Sequence, residues 1–147
     1  MGMFTSIDIA SSGLTAERLR MDVISENVAN VNTTRTAAGE AYRRKFPVFM
    51  AREESPNPFI RDGAWPSEGR GVKVVGIAED PSPFKKVHDP SHPDADAQGY
   101  VSLPNVNMVT EMVNLITASR AYEANSTVVN AAKGMVMKAL EIGGGRA

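Results

Sequence analysis

PNVNMVTEMVNLITASRAYEANSTVVNAAKGMVMKALE, residues Pro104 to Glu141, is the stretch that decides the fold. Met108, Leu115, Tyr122, Val129 and Val136 recur in it at strict seven-residue spacing. A straight helix drifts by about 20° per heptad, so five rungs held in line favour a left-handed supercoil with a partner helix. Ala118, Ala121, Val128, Ala132, Met135, Ala139 and Ile142 run beside that ladder, widening the seam and leaving small residues where backbones can approach closely. Pro104 precedes the pattern, Asn105 or Asn107 is available as N-cap, and Gly143-Gly144-Gly145 closes it. At about 1.5 Å per residue the helix is on the order of 50 Å long, more than one small domain buries.

The other end of the chain supplies a matching stripe. Ile7, Ala10, Leu14, Met21, Ile24, Val28 and Val31 fall on heptad a and d positions, interrupted only by Glu17. Gly13 costs about 1 kcal/mol relative to Ala inside a helix, so the expected long part begins near Leu14 and runs to Val31, with the first turns frayed or separately oriented. Asn27, Asn30 and Asn125 lie close to these seams, where each amide needs a partner, and the expected role is to fix register through bonds across helices.

Residues 34–103 differ in composition. They hold eight of the nine prolines and six of the twelve glycines, so this region reads as loop and short strand. Tyr42 to Met50 suggests one strand, kept at an edge by Pro47, and Gly71 to Ile77 a second, together a small hairpin or sheet. Arg52 to Gly71 reads as a mobile loop anchored at most by Phe59 and Trp65. The division is therefore 1–33, 34–103 and 104–147, with the first and last segments paired.

Composition excludes several function classes. At 147 residues and a net charge of −1, nothing in bulk charge attracts nucleic acid or an anionic membrane. No apolar window of about 18 residues exists, and the N-terminus lacks the pattern of a Sec signal peptide. The absence of cysteine rules out disulfides, thiolate metal sites and a cysteine nucleophile.

Candidate chemistry is sparse. His88 to Gly99 places two imidazoles and several carboxylates at short spacing. As a calcium loop it fails at the twelfth position, where Asn105 stands instead of a bidentate glutamate. Asp and Pro at this density also build Asx turns, and the turn reading outweighs the metal site. No Gly-x-Ser-x-Gly elbow, dinucleotide glycine motif or phosphate loop is present. Arg43-Arg44-Lys45 between Tyr42 and Phe46 fits a basic-aromatic nucleic-acid patch, but an alternating solvated strand gives the same string and is favoured. Periodicity alone leaves the heptad stripes divided between a closed two-helix core and a polymer interface.

A resemblance breaks that tie. Ser12-Gly13-Leu14-x-Ala16, Asn27 to Thr33 and Tyr42-Arg43 resemble one end of the flagellar axial proteins of rod and hook. Asn105-Val106-Asn107, Glu111-Met112-Val113, Arg120 to Asn125, Ala132-Lys133-x-Met135, Leu140 and Ile142 resemble the other. Asp80 to Phe84, Asp89-Pro90, His92 to Asp96, Gly99-Tyr100-Val101 and Pro104 are similar to the proximal-rod members. The resemblance implies a mainly α fold with a small β-rich insert, its N- and C-terminal helices packed as an antiparallel coiled coil.

It further implies a structural subunit, not an enzyme, with no cofactor and no metal. Helical polymerisation would build a drive shaft and export channel across the periplasm, reached through the flagellar type III apparatus without a cleaved signal. The implied partners are copies of itself, other rod subunits, and ring, adaptor and export-gate proteins at the base. Nucleic acid and small-molecule substrates are not among them. The candidate packing residues are Leu14, Met21, Ile24, Asn27, Val28, Asn30 and Val31 at one end. At the other they are Met108, Met112, Leu115, Ala118, Ala121, Tyr122, Asn125, Val128, Val129, Ala132, Met135, Val136 and Leu140. A secretion-associated helical adaptor and a small metal-binding domain at His88 to Asp96 are the competing readings.

Overall fold

The computed structural model describes residues 3–52 and 70–144. Their order is α1 (Met3–Ala29), β1 (Lys45–Ala51), β2 (Val72–Glu79), β3 (Lys85–His88), β4 (Tyr100–Leu103) and α2 (Met108–Gly144). Phe59 and Trp65, the expected loop anchors, lie outside the described residues.

Asn107, not Asn105, caps α2. Its Oδ1 accepts from the backbone N–H of Val109 at 3.0 Å and of Thr110 at 3.2 Å. Two of the orphan donors of the first turn are thereby satisfied. From there α2 runs 37 residues, about 55 Å of axis. Burial along it recurs at Glu111, Leu115, Ala118, Asn125, Val129, Ala132 and Val136, the alternating four-three spacing of a coiled-coil seam with one rung, Tyr122, at its margin. Asn27 of α1 meets Glu111, and Gly13 meets Asn125, so the helices pair antiparallel.

Two expectations about α1 are corrected. Gly13 does not break the helix, which runs continuously from Met3 to Ala29. A Cβ at position 13 would stand 2.8 Å from Asn125 Nδ2, so the missing side chain makes room for the amide of the facing helix. Close approach outweighs the local propensity cost. The helix also ends at Ala29, before Val31. The Asn30 N–H still bonds the Glu26 carbonyl, but the Val31 N–H reaches back only three residues, to Val28, and the chain turns.

β1 and β2 form an antiparallel ribbon, in register from Lys45 opposite Glu79 to Ala51 opposite Val72. Val48 faces Gly76 and Phe49 faces Val74, so Val75 is an extra residue and the ribbon carries a bulge there. Pro47 is tolerated because each strand of a two-stranded ribbon is an edge. A second ribbon, β3 with β4, has no counterpart in the sequence reading. Its strands are four residues each, too short to show alternation. His88 faces Tyr100 across it, ring centroids 5.0 Å apart in an edge-on contact.

Among the described residues, the buried apolar ones are Ala10, Ala16, Val23, Ile24, Ala41, Tyr42, Val101, Ala118 and Ala132. Five of these nine are alanines, whose methyl groups are worth about 0.8 kcal/mol each on burial. The helix pair is therefore close but thinly glued. Gly13→Leu should hold the helices apart and lower the unfolding temperature by several degrees. Gly13→Ala, met only by a movable amide, should stay close to the parent. Thermal unfolding followed by far-ultraviolet circular dichroism checks both.

Candidate helix-packing interface

At the junction of α1, α2 and β1 sits a buried polar cluster. Asn27 and Glu111 are both fully buried. The Asn27 Nδ2 donates to the Lys45 carbonyl at 2.8 Å and to Glu111 Oε2 at 3.0 Å. Its Oδ1 accepts from the Lys45 N–H at 2.9 Å and from the Tyr42 hydroxyl at 3.0 Å. All four hydrogen-bonding positions of the amide are filled. One side chain thus ties the end of α1 to the start of β1 and to the first turn of α2.

Glu111 brings a carboxylate into this site, where it needs a cation and donors. Arg44 Nε donates to Glu111 Oε1 at 2.9 Å, and Arg44 Nη1 lies 3.6 Å from Asp80 Oδ2. Asn105 completes the frame. Its Oδ1 accepts from the Arg44 N–H at 2.8 Å, and its Nδ2 reaches the carbonyls of Asp80 and Ser82. The Ser82 hydroxyl and N–H hold the Asp80 carboxyl below its ordinary pKa, with Arg44 and Arg43 adding to the effect. Burial pushes the Tyr42 phenol up, helped by the nearby Glu26 carboxylate. The phenol therefore stays protonated and able to donate to Asn27.

The Arg43-Arg44-Lys45 string is therefore not a solvated strand. The Arg43 guanidinium stacks 4.4 Å over the Phe84 ring and donates to the Asp80 and Ser82 carbonyls. Lys45 donates to Glu26 at 2.8 Å. Each cation of the run has a partner within the fold.

The sequence-selected residues separate by depth, from the centre of the seam to the outer face. Ile24, Asn27, Ala118 and Ala132 are buried. Leu14, Met21, Val28, Leu115, Ala121, Asn125, Val129 and Val136 are half-buried. Met108 and Tyr122 sit at the margin of the seam, a little over a third exposed. Met112, Val128, Met135 and Leu140 point away from it, 47–65% exposed. Val109, Val113, Ile116 and Met137, which the heptad reading passed over, join that outward group. They occupy the outer b and f positions of the heptad, opposite the seam, where Val109, Val113 and Ile116 with Met112 make a stripe of their own at three- and four-residue spacing.

The asparagines divide likewise. Asn27 reaches across to α2, but Asn30 bonds only locally, Nδ2 to the Glu26 carbonyl and Oδ1 from the Thr33 hydroxyl. Val31, with Asn30, belongs to the turn after α1.

In the His88 to Gly99 segment the carboxylates serve turns. Asp89 accepts from the N–H and hydroxyl of Ser91 and Asp96 from the N–H of Gln98 and Tyr100, whereas Asp94 ties the loop to the segment after α1, accepting from the Thr34 hydroxyl and lying 3.7 Å from Arg35. His92 Nδ1 accepts from the Asp94 N–H. Gly99 supplies the positive φ of 78° that closes the loop. Among the described residues no three His, Asp or Glu side chains gather as a metal site.

Two family models match this architecture at its two ends. Residues 7–35 match the flagella basal body rod protein family, and residues 97–142 match the C-terminal region of the flagellar basal body rod FlgEFG proteins. The helix pair with its β insert is thus the plan of a flagellar rod protein, a structural subunit and not an enzyme. Curated relatives narrow this. The flagellar basal-body rod protein FlgC of Borreliella burgdorferi is 54% identical over 97% of this chain and 98% of its own length. FlgC of Bacillus subtilis is 49% identical, and FlgC of Escherichia coli O6:H1 is 41% identical, each over 97% of this chain and 99% of its own length. The chain belongs to the FlgC family, the proximal-rod subunits of the flagellar basal body.

Two outcomes follow from the cluster. Glu111→Ala should cost about 1–3 kcal/mol, because it leaves one buried Asn27 donor unsatisfied and takes from Arg44 its nearer partner, Asp80 remaining beside it. Arg44→Met combined with it should cost less than the sum of the single changes, as a double-mutant cycle by denaturant unfolding will show. Tyr42→Phe should cost about 1 kcal/mol at neutral pH. The folded state holds the Tyr42 proton more tightly than the unfolded chain, so this stabilisation is complete below about pH 10 and lost as pH rises through the folded value. Lys45, raised by its bond to Glu26, adds loss in the same alkaline direction. Tyr42→Phe should therefore make the alkaline decline in stability shallower without removing it.

Proposed function

We propose that this rod subunit polymerises helically with its paired helices innermost and its β ribbons outward. The stack forms the shaft that carries torque from motor to hook and the wall of the export channel. It spans the periplasm, and the flagellar export apparatus delivers the subunit to the growing end. Its neighbours are further copies of itself and other rod subunits, with ring and export-gate proteins at the base.

The observation that carries this reading is the outward apolar face of α2. Val109 is 70% exposed, and Met112, Val113 and Ile116 are each 55–57% exposed, side by side on the turns opposite the seam. Further along, Val128, Met135 and Ile142 repeat at seven-residue spacing and are 47–83% exposed. One helix therefore carries a seam toward its own partner and separate apolar stripes beyond it. That is what a layer of laterally packed coiled coils requires.

The test separates folding from assembly. Val113→Asp leaves the seam untouched, so helicity and unfolding temperature of the isolated chain should match the parent. In a strain carrying only that variant, hooks and swimming should be lost, because a charge buried between subunits costs several kcal/mol per contact. Leu115→Asp, within the seam, should lose both fold and motility. Normal swimming with Val113→Asp would remove α2's outer face from the assembly.

A further inference from the structure

The β1–β2 ribbon is fastened to α1 at two separated points. At one end, both backbone groups of Lys45 are held by Asn27. At the other end, the Val72 N–H donates to Ser12 Oγ at 3.0 Å, while the Ser12 hydroxyl donates to the Ile9 carbonyl at 2.7 Å. Ser12 and Asn27 lie fifteen residues apart on one helix, about 22 Å of axis. From Lys45 to Ala51 β1 spans about 20 Å. Ribbon and helix segment are of nearly the same length, and each end of the ribbon meets a side chain aimed at its backbone.

Gly71 makes the second attachment possible. A Cβ there would fall 2.1 Å from Ser12 Oγ and 3.1 Å from Ser12 Cβ, and the residue holds a φ of +104°. Both closeness and backbone exclude a side chain. The next residue after Ser12 is Gly13, against which Asn125 of α2 is packed. Consecutive residues of α1 thus receive the ribbon on one side and the partner helix on the other.

A single attachment is a pivot, whereas two attachments 22 Å apart fix both angle and sliding. We infer that Ser12 and Gly71 are positioning residues that make the ribbon a splint along α1. The outer ribbon and the inner helix pair then turn as one body when torque passes through the subunit. This rests on the rod reading above, and it assigns Ser12 and Gly71 a task separate from polymerisation.

The test uses strains whose only source of this chain is the variant, swimming in dilute and in viscous medium, with hooks counted by electron microscopy. Ser12→Ala removes the acceptor for the Val72 N–H, and Gly71→Ala pushes the ribbon end off the helix. Both should build hooks and swim in dilute medium, lose swimming in viscous medium, and show rods broken at the cell envelope. Gly76→Ala, in the strand that follows Gly71 and with nothing within 4 Å of the new methyl, should match the parent in both media. Equal swimming of Ser12→Ala and Gly71→Ala with the parent under viscous load overturns the splint. So does loss of hooks in both media, which would make the contact a requirement for assembly. A strain lacking the chain altogether should be immotile, and if it swims, the rod reading falls with the splint.

Discussion

The Asn27 amide is the interaction on which the rest depends. Lys45 is the first residue of β1, and both its N–H and C=O end on this side chain. The Tyr42 hydroxyl and the Glu111 carboxylate end there too. Aspartate would offer no donor and would set a second carboxylate against Glu111, while leucine would leave four polar groups unsatisfied. With the amide in place, the C-terminal end of α1, the start of the ribbon and the first turn of α2 have one mutual arrangement. Arg44 and Asn105 extend the same frame to Asp80 and Ser82, which lead into the second ribbon.

Polar definition of this kind matters because apolar definition is weak here. A seam lined by Ala10, Ala118 and Ala132 brings backbones close, yet alanines discriminate poorly between one register and the next. Two pairings resolve it. Asn27 with Glu111 fixes one end, and Gly13 with Asn125 fixes a point fourteen residues further along each helix. Much of the remaining apolar surface of α2 faces outward, where it is worth more to a neighbour than to the chain itself. The fold is a subunit whose own core is small and whose stickiest surface lies outside it.

The helix pair was legible in the sequence because seven-residue spacing is a local signal that survives without knowledge of the partner. Gly13 was misjudged for the same reason. Read locally it is a weak helix former, and only the facing Asn125 shows why a side chain is absent. Arg44 and Glu111 are 67 residues apart and sit in segments that read as strand and as helix start, so neither pattern hints at their ion pair. Asn27 and Asn30 are one residue type three positions apart. They differ because the helix continues past the first and ends at Ala29, before the second, and boundaries of that kind are poorly marked. The second ribbon was hidden by strands of four residues separated by Asp, Pro and Gly. Of the outward face of α2, Val128, Met135 and Ile142 read as part of the seam, and Val109, Val113, Ile116 and Met137 were passed over, because heptad spacing alone does not say which stripe the partner helix covers.

The most direct measurement is a side-chain-resolved map of the assembled basal-body rod built from this chain. The account predicts that, in every copy, the Asn27 amide lies against Glu111 and Lys45 of the same chain, with Gly13 opposite Asn125. A rod in which these helices are exchanged between neighbouring copies, or paired one heptad out of register, would contradict it.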